Sequence, residues 1–226
     1  VPAHAPSAYE TKAWLQYYPE WTKPHLDYGE KTLLDSYQET IDDKGDRPAT
    51  WFFGAQMTYR ELDTHVRAAA AGLKAFGIRP GDRVAVALPN CPQHVAVFYA
   101  ILKLGATVVE HNPLYTAAEL EPLFKDHAAR VAVVWDKATP TFEKLRSSTP
   151  LETIVTVNMI DAMPRRTQLL LRLPVPFIKD KREELSVDAP NTVPWSALTG
   201  RAIGGYGHDL PDPEVDLNDT ALILYT

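Results

Sequence analysis

Arg83-Val84-Ala85-Val86-Ala87-Leu88, Thr107-Val108-Val109-Glu110 and Val131-Ala132-Val133-Val134-Trp135 are three short runs of β-branched and small apolar residues. They are too continuous for strands with one wet face. Such runs are buried on both sides, as in a parallel sheet covered by helices. The text between them supplies the helices. After Pro89-Asn90-Cys91-Pro92, residues from about Gln93 to Leu104 keep helical spacing and stop at Gly105. Thr116-Ala117-Ala118-Glu119 then reads as a capping box, with the Thr hydroxyl taking the amide three residues on and the Glu reaching back. It opens a helix to about His127. Strand, helix, strand, helix, strand predicts βαβ units: an α/β fold with a mostly parallel sheet and helices on both faces.

The same alternation continues on either side. Upstream, Leu33, Leu34, Tyr37 and Ile41 recur at helical spacing, and Thr50-Trp51-Phe52-Phe53, Gly54-Ala55 and Gln56-Met57 read as a small hairpin. Thr58-Tyr59-Arg60-Glu61 is a second capping box, and its helix places Leu62, Val66, Ala69, Ala70, Leu73 and Phe76 on one face before Gly77 ends it. Residues 1–30 carry Trp14, Tyr17, Tyr18, Trp21 and Tyr28 among four prolines and read as an irregular arm whose aromatics dock on the body. Downstream, a helix about Thr141 to Ser147 and a strand Thr153–Val157 complete the repeat. Residues 31–226 thus read as one incomplete domain. Within it, about 159–215 holds seven of the 19 prolines and reads as an insertion or crossover with short helices, not another βαβ unit. Residues 218–226 end in Ala221-Leu222-Ile223-Leu224-Tyr225-Thr226, a strand running into the end of the chain, which reads as cut there.

Composition excludes several classes. With 23 Lys+Arg against 29 Asp+Glu, the net charge of −6 creates no global field for nucleic acid. One Cys gives neither a disulfide framework nor a multi-cysteine metal site, and suits a reducing compartment. No run approaches the roughly 18 apolar residues of a spanning helix, and the first residues lack the basic start and apolar centre of a secretory signal. The expectation is a cytoplasmic protein, with a peripheral place at the inner membrane face as the alternative.

The common site motifs are absent. Gly204-Gly205-Tyr206-Gly207 lacks the spacing and the preceding strand of a dinucleotide fingerprint and reads as a turn. The seven His residues are scattered singly, without ligand spacing, so no metal ligand is assigned. Cys91 stands just after a strand with no base partner in view, and reads as a loop or core residue.

Three segments in fixed order carry more. Met57-Thr58-Tyr59-Arg60-Glu61-Leu62, then Leu102-Lys103-Leu104-Gly105-Ala106 through His111-Asn112-Pro113, then Ala221–Thr226 resemble the first three core motifs of the adenylate-forming superfamily. Leu88-Pro89-Asn90-Cys91-Pro92-Gln93 and Glu110-His111-Asn112-Pro113-Leu114-Tyr115-Thr116 resemble bacterial long-chain fatty-acid–CoA ligases more closely. The resemblance implies an amino-terminal fragment of an AMP-forming ligase. Such an enzyme activates a fatty acid with ATP and Mg²⁺ to acyl-AMP, then passes the acyl group to CoA. It also implies that Tyr225 and Thr226 open the ATP phosphate loop, against the alternative of an ordinary strand end. By the same resemblance, catalytic residues and metal ligands lie outside this chain, so that the chain alone is inactive. Tyr59, Arg60 and Glu61 would start a helix, and His111 would support the Asn112-Pro113 turn or line the acyl side. A ligase of aryl or short-chain acids and a non-catalytic α/β binding module remain alternatives.

Arg165 to Arg182 packs six basic residues around seven bulky apolar ones, with Asp180 the one acid. Such a stretch suits the surface of an anionic bilayer; a helix packed on its own domain and a subunit contact are the alternatives.

Overall fold

The computed structural model describes residues 7–26, 29–201 and 213–225. The Gly204–Gly207 cluster and Thr226 lie outside the described residues. The chain divides into two compact units, Val1–Lys31 and Thr32–Thr226. The first contains a single helical turn, α1 (Ala8–Thr11), and a 3₁₀ turn (Ala13–Tyr17), with Tyr9 edge-on to Trp14 at 5.6 Å between ring centres.

The second unit opens with α2 (Leu33–Lys44), capped reciprocally by Thr32 and Asp35. An antiparallel hairpin follows, β1 (Pro48–Phe52) and β2 (Ala55–Thr58), turning through Phe53 and Gly54, both at positive φ. Thr58 ends β2 and also caps α3 (Tyr59–Ala75). Its hydroxyl accepts from the Glu61 amide, and the Glu61 carboxylate accepts from the Thr58 amide.

The main sheet has six strands, all parallel, in the order β7-β6-β5-β3-β4-β8. Its strands are β3 (Arg83–Ala87), β4 (Thr107–Glu110), β5 (Val131–Trp135), β6 (Thr153–Val157), β7 (Val193–Pro194) and β8 (Leu222–Leu224). The period of two sorts their side chains cleanly. Val84, Val86, Val108, Val131, Val133 and Val155 face one core, under α3, α4 (Pro92–Leu102) and α9 (Trp195–Arg201). Ala85, Ala87, Ala132, Val134 and Ile154 face the other, under α5 (Ala117–His127) and α6 (Thr139–Leu145). Both faces are therefore dry, as the uninterrupted apolar runs require. The packing of α3 against α9 is close enough that Gly72 cannot carry a side chain: a Cβ there would overlap the Leu198 carbonyl oxygen and side chain.

Two differences from the sequence reading stand out. The Pro-rich segment contributes a strand after all: β7 pairs parallel to β6 through Val155–Val193 and Thr156–Pro194. At two residues, one of them a proline, it is too short to show a period, and its place at the sheet's edge tolerates the missing N–H. Between β6 and β7 the chain makes a 3₁₀ turn (Met159–Ala162) and two helices, α7 (Arg165–Leu171) and α8 (Pro176–Leu185). The last strand is also shorter than the run 218–226. It pairs with β4 over Val108–Leu222, Val109–Ile223 and Glu110–Leu224, with Thr107 Oγ1 donating to the Thr220 carbonyl at 2.8 Å.

Candidate functional site at the carboxyl edge of the sheet

β3 and β4 are neighbours, but the chain leaves them toward opposite faces. α4 covers the first face and α5 the second. In an open α/β sheet this divergence opens a crevice at the carboxyl ends of the two strands, the place where such folds bind ligands. Leu88–Cys91 leave β3 there, His111–Pro113 leave β4, and Tyr225 leaves β8 beside them.

His94, in the first turn of α4, bridges the crevice: its Nε2 lies 2.8 Å from Glu110 Oε1 at the end of β4. That bond holds the His94 pKa above its usual value, although burial works in the opposite direction. Beside it opens a cleft of about 480 Å³ between the β1–β2 hairpin and the start of α4, with Trp51, Phe52, Val95 and Phe98 as apolar walls. Cys91 also lines it, as the N-cap of α4 with no side-chain capping bond. Burial pushes its thiol up to about 11, so it is no thiolate nucleophile, in keeping with the core reading.

On the other face, Tyr225 and His111 are cross-strand neighbours one step beyond the last paired residues of β8 and β4. Their rings stack at 5.9 Å and 9°. His111 is buried, its Nε2 3.0 Å from His127 Nε2 at the end of α5. The network assigns the tautomers. The Ala129 amide donates to His127 Nδ1 at 3.1 Å, so in the neutral ring the proton sits on His127 Nε2, which donates to His111 Nε2. The His111 proton then lies on Nδ1, a buried atom without a hydrogen-bond partner. Burial lowers both pKa values to about 4, with mutual repulsion adding to the shift at His127. Tyr225 is tied from the other side as well, its hydroxyl donating to Asp126 Oδ2 at 2.6 Å. The residue at the mouth of the final strand is thus gripped by α5 through Asp126 and by a stack on the histidine pair.

Other residues singled out in the sequence fall into place without joining a reaction centre. Tyr59, Arg60 and Glu61 form the first turn of α3, and Arg60 Nε pairs with Asp46 at 3.2 Å. Asn112 Oδ1 accepts from the Leu114 amide, closing the turn after β4. His111 supports this region from within; its ring is packed against Phe124 of α5. Sequence reasoning treated the histidines as isolated, whereas the fold brings His111 to His127 and His94 to Glu110. Among the described residues, no group of three or more His, Cys, Asp or Glu is placed to hold a metal ion.

A family model described as AMP-binding enzyme matches residues 37–226. The long-chain-fatty-acid–CoA ligase of Haemophilus influenzae is 31% identical over 95% of this chain, and that of Bacillus subtilis 34% identical over the same share. This chain spans 38% of the length of each. Among solved structures, the anthranilate CoA ligase AuaEII in complex with anthranoyl-AMP superposes with a TM-score of 0.68 at 20% identity, over 87% of this chain and 32% of that one. Mycobacterium smegmatis MbtA, in its apo form, gives 0.65 at 26% identity, over 96% of this chain and 34% of its own.

Proposed function

The chain belongs to the AMP-binding enzyme family, and we propose that it is the amino-terminal part of an AMP-forming acyl-CoA ligase that acts on long-chain fatty acids. In that reaction the fatty-acid carboxylate attacks the α-phosphorus of ATP and pyrophosphate leaves, giving acyl-AMP. The CoA thiol then attacks the acyl carbonyl, its proton is lost, and AMP departs. Both steps build negative charge on oxygen, which fixed donors and cations must offset. The observation that carries the reading is the course of β8. It lies parallel beside β4, with Tyr225 emerging at the carboxyl edge next to the crevice where β3 and β4 diverge. The share of this chain is to hold that mouth rigid: Asp126 and the His111–His127 pair anchor Tyr225.

Long-chain acids are favoured over aryl acids by the kinship with the two fatty-acid ligases across 95% of the chain. The 4-coumarate–CoA ligase 4 of Arabidopsis thaliana shares 39% identity over only 35% of it. The test is thioester formation by the full-length protein with ATP, Mg²⁺ and CoA, offered palmitate, 4-coumarate or acetate. Palmitoyl-CoA is expected to form with a kcat/KM at least about tenfold above the other two, a difference of about 1.4 kcal/mol in transition-state binding. The 226-residue chain alone is expected to release no pyrophosphate above a protein-free blank. Preference for 4-coumarate would reassign the substrate to aryl acids, and no thioester from any acid would leave a binding module.

A further inference from the structure

We propose that the hairpin of α7 and α8 is a docking surface for an anionic lipid bilayer; the inference stands independently of the ligase reading. The hairpin is fastened at its two outer ends. Where α7 begins, Ile160 and Met163 pack with Leu171, and Phe52 of the β1–β2 hairpin packs against this cluster. Where α8 ends, three consecutive residues of the β5 exit grip the chain, two through its backbone and one through a side chain. The Trp135 indole N–H donates to the Leu185 carbonyl at 2.9 Å, and the Lys137 ammonium to the Glu183 and Glu184 carbonyls at 2.8 and 3.0 Å. The Ser186 hydroxyl donates to Asp136. Leu171, Ile178 and Leu185 turn inward onto Ile160 and Met163, and Arg182 closes the pair by donating to the Leu171 carbonyl at 3.2 Å. One set of apolar residues therefore suffices to hold the hairpin.

A second set is left over, and it is concentrated at the far end. Leu169, Leu170, Leu173, Val175 and Phe177 surround the connection between the helices, with Leu169 64% and Phe177 68% exposed. An exposed apolar cluster of this kind marks a contact surface. Its chemistry says which. Arg172, Lys179 and Lys181 follow the connection closely in sequence and are exposed, as are Arg165 and Arg166 at the start of α7. Acids enter only on α8, as Asp180, Glu183 and Glu184, and Glu183 pairs with Lys179 at 3.6 Å. Residues 165–185 thus carry six cations against three acids, in a chain whose net charge is −6. Lys181 sits over the Phe177 ring at 5.7 Å, so that cation and apolar anchor are presented together. Acids complementary to a protein partner's mixed surface are missing from the tip; cations around an apolar wedge match acyl chains beneath anionic headgroups.

The test is co-sedimentation of the protein with vesicles of phosphatidylcholine alone or carrying phosphatidylglycerol. Binding is expected to the anionic vesicles and to weaken with salt. Replacing Arg165, Arg166, Lys179 and Lys181 together by Ala should weaken it about fivefold per residue. Leu170→Ser with Phe177→Ser should weaken it about tenfold or more while leaving the dependence on lipid charge. All six positions are exposed, and unchanged thermal unfolding verifies that the variants fold. Equal binding to both vesicle types, no binding to either, or indifference to the charge variant would each overturn the proposal. So would a dimer abolished by the same variants, or Leu170 and Phe177 already shielded by another part of the protein when no vesicles are present.

Discussion

Phe124→Ala is expected to destabilise the protein by about 3–5 kcal/mol, the usual range for deleting a fully buried aromatic ring. Phe124 is wholly inaccessible and stands where α5 meets the sheet. Its ring stacks on His111 at 5.3 Å and meets Phe142 edge-on at 5.7 Å and His127 at 4.5 Å. Little nearby can collapse into the space, because the sheet residues beneath are small: Ala85, Ala87 and Ala132. Alanines on the strands and a ring on the helix are the two halves of one fit. Equilibrium denaturation measures the cost. A loss below about 1 kcal/mol would mean that α5 is not packed as described. The same cavity would let water reach the histidine pair, so the variant should also be less sensitive to acid.

Acid sensitivity is the second large effect. His111 and His127 ionise near 6.5 when unfolded but only at about 4 when folded. As pH falls through 6.5 the unfolded chain therefore takes up protons first, and stability is lost from pH 6.5 down to about 4. By linkage each histidine would cost up to about 2 kcal/mol between pH 6.5 and 5. Asp136 has the opposite sign. Burial raises it to about 6 despite the Ser186 bond, so its folded form gains protons first and favours folding as pH falls below 6. His94, held above its usual value by Glu110, and Asp161, raised by burial, act in the same sense as Asp136, while burial lowers His65 and adds to the loss. The two buried imidazoles of the pair are displaced furthest, and the net effect is a loss. Denaturant unfolding at pH 7, 6 and 5 should show stability falling, and His111→Gln should reduce the slope. Stability that rises over this interval would contradict the neutral, buried pair.

What could be read from the sequence was what is local. The capping boxes at Thr58–Glu61 and Thr116–Glu119 were legible because both partners lie three residues apart. Thr32–Asp35 does the same work with the shorter acid and passed unnoticed. The central strands were legible because burial on both faces leaves continuous apolar runs. Pairings across the fold were not. His111 meets His127 only because β4 ends beneath the last turn of α5, and Tyr225 reaches Asp126 across 99 residues. The Trp135–Lys137 clasp joins residues about fifty apart, each ordinary alone. Nothing periodic announces such contacts; they follow from strand order.

In the proposed reaction, Tyr225 and Thr226 lead into the site where ATP is cleaved. Exchange of labelled pyrophosphate into ATP by the full-length protein, with palmitate present and CoA withheld, isolates the adenylation step. Exchange that requires palmitate and falls when Tyr225→Ala frees the end of β8 is the predicted result; exchange absent with every carboxylic acid offered would contradict it.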